Sequence, residues 1–177
     1  MRADLVVKSD RIVFPDEIAP GALAVKDGRI VSISEKRWAP QTFEVLDATG
    51  RVVFPGVIDP HVHAREPGTE DREDFATCSR GAAAGGVTTF LEQPVSVPPT
   101  WNVANLRAKK ARASAKSVVD FGLYGGVGIT SLDQLAGMVE EGVCAFKTFL
   151  HEPYPGREKE FEGIYATDDG DLLEVFA

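Results

Sequence analysis

A change of rhythm at Pro55-Gly56 constrains this chain more than any other feature of its sequence. Beyond it, strand-like runs alternate with helix-like ones. Val57 to Asp59 is followed by a helical stretch near Asp71 to Ala84, a stop at Gly85-Gly86, and Val87 to Glu92 as the next strand. Asn102 to Lys116 reads as helix, Val118 to Tyr124 as strand, Ser131 to Glu140 as helix and Val143 to Leu150 as strand. The Ser131 helix carries Thr130 as a cap, Asp133 as its capping-box partner, and Leu132, Leu135, Ala136 and Val139 along one face. A charged, proline-containing loop covers 151 to 166, and Asp168 to Phe176 opens another helix. Parallel strands need long crossovers, usually helical, so the alternation implies a parallel α/β sheet, open or closed into a barrel.

Residues 1–54 follow a different pattern. Leu5 to Val7, Arg11 to Phe14, Leu23 to Val25, Ile30 to Ile33 and Arg51 to Phe54 are short and β-branched, separated by turn signals at Asp27-Gly28 and Thr49-Gly50. The expected division is therefore a small β segment, 1–54, and a βα region, 55–177, holding four units with the last cut off inside its helix. A barrel of this kind closes with eight strands. Four alone leave two unpaired edges and an apolar interior facing water, so a truncated half is expected.

Composition narrows the partners. Nineteen Lys and Arg stand against 27 Asp and Glu, a formal charge of −8, which argues against nucleic acid or an anionic membrane as a general partner. Lys109, Lys110, Arg112 and Lys116 form a basic helix surface, read as a solvated face. No run approaches the ~20 apolar residues of a membrane span, and Met1 to Lys8 lacks the apolar core of a signal peptide. Cys78 and Cys144 are far apart and form no CxxC pair, so neither a disulfide framework nor a structural zinc module is indicated, and a reducing cytoplasm is expected.

The chemistry concentrates at two places. Asp59-Pro60-His61-Val62-His63 follows the apolar run Val52 to Ile58. In extended chain, positions i and i+2 face the same side, so both imidazoles can meet one metal at a strand end; the alternative is two partly exposed histidines. In Ala145-Phe146-Lys147-Thr148-Phe149, alternation sends Phe146, Thr148 and Leu150 to one side and Lys147 to the other, with Ala145 and Phe149. A lysine there is costly unless paired or neutralised, and a neutral amine can take up carbon dioxide as a carbamate, an anionic metal ligand. The alternative is a strand-end lysine whose ammonium reaches solvent. Gly125-Gly126-Val127-Gly128 lacks the features of a phosphate loop and reads as a tight βα turn. The loop His151 to Glu160 reads equally as a lid or a solvated loop.

Pro55-Gly56-Val57-Ile58-Asp59-Pro60-His61-Val62-His63-Ala64-Arg65-Glu66-Pro67-Gly68, followed by Ala82-Ala83-Ala84-Gly85-Gly86-Val87-Thr88-Thr89, resembles the cyclic amidohydrolases: dihydroorotase, allantoinase and hydantoinase. The resemblance implies the first half of a metal-dependent (β/α)8 TIM-type barrel preceded by a β-sandwich segment. It implies that His61 and His63 bind the more buried metal, and that Lys147, carboxylated and catalytic, bridges two ions expected to be zinc. A hydroxide between them would attack the ring amide carbonyl. The family's remaining ligands, two histidines and an aspartate, come from later strands, and His151 matches none of them.

Arg65 resembles the dihydroorotase arginine that pairs with a substrate carboxylate. Glu92-Gln93-Pro94-Val95-Ser96, however, stands where dihydroorotases carry Met-Pro-Asn-Thr, so their asparagine is missing. The Lys147 strand and the Glu92 segment look closer to allantoinases and hydantoinases, although Glu152 occupies the place of a hydantoinase tyrosine. The expected function is ring opening of an allantoin-, hydantoin- or dihydropyrimidine-type substrate, with dihydroorotase, or a catalytically incomplete fragment, as alternatives. The intact protein is expected to be a cytoplasmic homo-oligomer acting on a small cyclic amide, and the 177-residue chain alone to be inactive.

Overall fold

The structure, a computed structural model, describes residues 2–35 and 39–177. It contains two compact units, Met1–Pro55 and Gly56–Ala177.

In the first unit, β1 (Ala3–Val13), β2 (Ile18–Lys26), β3 (Arg29–Ser34) and β4 (Thr42–Asp47) form a sheet in the order β3-β2-β1-β4, and β5 (Val52–Val53) also pairs with β1. Asp27 and Gly28 both take positive φ, 50° and 71°, the geometry of a two-residue hairpin turn between β2 and β3. The segments Leu5 to Val7 and Arg11 to Phe14 are one strand, interrupted by a register shift between Ser9 and Ile12. Ser9 is buried there, and its hydroxyl lies 2.8 Å from the Arg51 carbonyl and 3.2 Å from that of Ala48. β4 falls where no strand was expected. Its Phe43, Val45 and Leu46 are exposed, so the parallel ladder to β1 holds it rather than burial.

The second unit is a four-stranded parallel sheet in chain order, β6 (Val57–Val62), β7 (Val87–Glu92), β8 (Asp120–Gly126) and β9 (Ala145–Lys147). Its crossover helices are α1 (Phe75–Ala84), α2 (Val103–Lys116) and α3 (Leu135–Glu140), and α4 (Glu158–Phe161) and α5 (Asp169–Phe176) follow β9. Asp74 starts α1 by accepting the Thr77 N–H at 2.8 Å, and Asn102 starts α2 by accepting that of Asn105 at 2.8 Å. Phe75, Phe90, Ala64 and Ala113 pack together, and Leu106, Leu123 and Met138 form a neighbouring cluster against Phe146.

Three expectations are corrected. The Ser131 segment begins as a 3-10 turn (Ile129–Gln134), and Thr130 does not cap it. The Ser131 hydroxyl accepts the Gly128 N–H at 2.9 Å and lies 2.8 Å from the Gly163 carbonyl, which tightens the turn and rotates the face. Met138 is consequently buried, while Ala136 and Val139 face solvent. Gly125 and Gly126 belong to β8, not to a turn; a Cβ on Gly126 would run into the Ile164 side chain. The stretch 151–166 is not simply a solvated loop. Phe149 leaves β9 to bridge Tyr165, and Phe161, Ile164 and Ala166 are buried. Both cysteines are free, and among the described residues no helix is long and apolar enough to cross a membrane.

Candidate metal centre

β6 delivers the two histidines. The Asp59 carboxylate accepts the His61 N–H at 3.0 Å, and the extended chain turns both imidazoles the same way, with ring centroids 5.3 Å apart and planes inclined by 49°. β9 delivers the lysine. Phe146 goes to the helix side, packed with Leu123 and Met138, whereas the Lys147 Nζ lies 3.4 Å from His61 Nε2 and 4.7 Å from the centre of the Phe149 ring.

This contact also describes the sheet. β6 and β9 are its outer strands, with β7 and β8 between them. At the usual strand spacing they would stand about 14 Å apart in a flat sheet. Side chains rising from their C-terminal ends meet because the sheet is curled.

Electrostatics favour neutral nitrogen donors. His63 is half-buried, and its pKa is lowered to about 4 by loss of solvation and then by the positive charges of Arg65 and Lys147. Its Nδ1 is buried without a hydrogen-bond partner among the described residues. Burial also lowers the Lys147 amine from its ordinary value. Two adjacent imidazoles, one with an unmatched buried nitrogen, and an amine driven toward neutrality are a donor set that fits a divalent cation. Among the described residues no group of three His, Cys, Asp or Glu could hold a metal.

Arg65 lies two residues beyond His63 in the left-handed region, φ 62°, unusual for a residue with a Cβ. Its carbonyl accepts both the N–H and the hydroxyl of Thr69, at 3.2 and 2.7 Å. Among the described residues its guanidinium has no ion-pair partner. His151 stays apart from the centre: its Nδ1 is 2.6 Å from the Glu152 carbonyl, and its ring packs among Phe149, Tyr154 and Phe161.

The basic surface expected on α2 is only partly a surface. Lys109 is 1% exposed and pairs at 2.9 Å with Glu92, which is fully buried. Lys116 and Arg112 reach the buried Glu66, at 2.7 and 3.4 Å. Sequence reasoning missed both pairings, yet a signal was present: Lys109 shares the helical spacing of Leu106 and Ala113, the apolar face of α2.

A curled parallel sheet in sequential βα order, with these residues at its C-terminal ends, defines the first half of an amidohydrolase-type barrel. Residues 50–148, more than half of the chain, match the dihydro-orotase-like family, and the chain belongs to it. Residues 4–47 match the allantoinase composite domain. A solved L-hydantoinase (dihydropyrimidinase) from Arthrobacter aurescens superposes with a TM-score of 0.87 at 35% identity, over 98% of this chain and 38% of that one. An allantoinase from Desulfitobacterium hafniense (strain Y51) is 39% identical over 147 residues, 82% of this chain and 32% of its own length. A dihydroorotase from Methanosarcina mazei is 36% identical over 167 residues, 92% of this chain and 36% of its own length. The chain thus spans about a third of the length of these relatives.

Proposed function

We propose that this chain forms the metal-holding first half of a hydrolase that opens allantoin-, hydantoin- or dihydropyrimidine-type rings, with an allantoinase-like or hydantoinase-like preference. Residues 1–54 are assigned to a β-sandwich segment and 55–177 to four βα units of the barrel. The observation that carries the reading is the 3.4 Å approach of Lys147 Nζ to His61 Nε2, beside the unmatched buried nitrogen of His63.

In this reading His61, His63 and Lys147, the last as its carbamate, would hold divalent cations, with zinc as the metal. When bound, such ions lower the pKa of water and polarise a carbonyl oxygen. The chain's own residues prepare the place. Burial lowers the pKa of the Lys147 amine, which raises the share of its neutral form; that form would add to carbon dioxide with formation of the N–C bond and loss of one proton, giving an anion. His63 is neutral at physiological pH and keeps its ring lone pair. The guanidinium of Arg65, which has no ion-pair partner among the described residues, would orient a carboxylate or ring carbonyl of the substrate.

The Glu92 segment favours this preference over a dihydroorotase. Val95, buried against Phe161 and Ile164, stands in the place of the missing asparagine, and the adjoining Ser96 is also buried, its hydroxyl 2.9 Å from the Pro98 carbonyl and 3.4 Å from Lys109 Nζ. It is committed to internal partners. The deciding experiment screens the full-length protein for hydrolysis of hydantoin, allantoin and dihydroorotate while bound metal is measured. Hydrolysis of one of the first two with divalent metal bound is expected; no bound divalent ion and no ring opening would end the reading.

A further inference from the structure

We infer that Glu92 is a positioning residue that fixes the backbone of the turn carrying His63 and Arg65, with Lys109 balancing its buried charge. The inference rests on the reading of that turn as part of the metal and substrate site. Glu92 ends β7, and its two carboxylate oxygens have separate tasks. Oε1 lies 2.9 Å from Lys109 Nζ, while Oε2 accepts the N–H of Ala64 at 2.7 Å. Ala64 is the single residue between His63 and Arg65, and it is fully buried. The Lys109 ammonium is itself held by the Gln93 carbonyl at 2.8 Å and the Ser96 hydroxyl at 3.4 Å. Gln93 in turn donates its N–H to the Val62 carbonyl at 2.8 Å. Val62 and Ala64, on either side of His63, are therefore both tied to the end of β7, where Lys109 of α2 balances the buried carboxylate.

Stability alone does not account for this arrangement. A fully buried ion pair is often matched or exceeded in stability by apolar residues of similar volume. An apolar pair at 92 and 109 would fill the same space, but it would leave the Ala64 N–H without an acceptor. The structure also holds Arg65 at φ 62° immediately beyond that N–H. A hydrogen bond from a rigid carboxylate is a means of holding such a conformation in place, as outer partners do for the ligands of metal sites.

Two charge-free double variants of the full 177-residue chain separate positioning from packing. Glu92→Gln with Lys109→Met keeps an oxygen for the Ala64 N–H; Glu92→Leu with Lys109→Met removes it and buries no charge. Circular dichroism establishes folding of both. Two quantities are then read: hydrogen exchange at the Ala64 amide without metal, and the dissociation constant for Co2+ from its absorption spectrum in bicarbonate buffer. The glutamine variant is expected to stay within about threefold of the unaltered chain in both. The leucine variant is expected to lose at least about tenfold in Ala64 protection and in Co2+ affinity, the scale found for outer partners of metal sites. Equal Ala64 protection in the two variants overturns the inference, as does equal Co2+ affinity where the unaltered chain binds the ion. If the unaltered chain binds no Co2+ while the exchange difference persists, the metal reading fails and the positioning of the turn stands.

Discussion

His63 and Lys147 are the residues at which stability is given up. A buried ring nitrogen without a partner destabilises the fold by about 1–3 kcal/mol, and no hydrogen bond from the described residues offsets it. Replacing His63 with Leu is therefore expected to stabilise the metal-free chain by about 1 kcal/mol in urea unfolding while abolishing metal binding. An unchanged or lowered midpoint would show that the imidazole is satisfied in solution. Lys147→Arg tests the other donor. The guanidinium keeps the positive charge but is never neutral at accessible pH, so it cannot take up carbon dioxide. A carbamate resonance from 13C-bicarbonate is expected in the unaltered chain and not in Lys147→Arg, with metal affinity reduced at least about tenfold in the variant, the scale known for loss of even an outer partner.

At the scale of elements, the same local devices explain both the architecture and its sensitivity. Gly126 sits in β8 where a Cβ would meet Ile164, so Gly126→Ala is expected to cost about 1–3 kcal/mol by overpacking, measured as a fall in urea midpoint. Asp74 gives α1 a pH dependence. Its carboxyl is held below the usual range by the Thr77 N–H and then by the Thr77 hydroxyl. A depressed acid stabilises the fold above its unfolded value, near 3.9, and the contribution disappears as pH falls through the lower folded value. The gap in thermal midpoint between the unaltered chain and Asp74→Ala is thus expected to be constant at neutral pH and to close below about pH 4; a gap unchanged down to pH 2 would remove Asp74 as its source.

These elements also show what could be read from the sequence and why. β7 and α2 were legible because glycines and an asparagine cap mark their ends and periodicity fills their middles. His61 and His63 were legible as neighbours because a period of two is enough to choose a face, whereas the expectation that Lys147 joins them came from the resemblance to the cyclic amidohydrolases. β4 was not, because its strand character comes from pairing with a distant β1 rather than from its own burial pattern. The Ser131 turn was misread because its geometry depends on a carbonyl 32 residues away. Glu92 and Lys109 escaped notice as a pair because the fold brings them together, although the spacing of Lys109 with Leu106 and Ala113 already placed it on the apolar face of α2.

For the molecule as a whole, donor supply sets what this chain can do alone. It contains three histidines, and His151 is engaged with an aromatic cluster and the Glu152 carbonyl. That leaves two imidazoles and Lys147 as the proposed donors, and among the described residues no further cluster of suitable side chains. Three donors can hold one ion, as zinc sites with three protein ligands do, but a second ion bridged by Lys147 would lack protein ligands of its own. The sheet has a parallel incompleteness: β6 and β9 are open edges at the mouth where the candidate site lies, so water reaches a place that hydrolysis needs partly enclosed. The purified 177-residue chain is accordingly expected to bind Co2+ with at most one ion per chain in a titration, and to give no detectable ring opening of hydantoin, allantoin or dihydroorotate. A stoichiometry of two, or turnover above the metal-only control, would mean that a second set of donors is assembled by chains acting together, and mixing chains inactivated at Lys147 with chains inactivated at His61 would then restore activity.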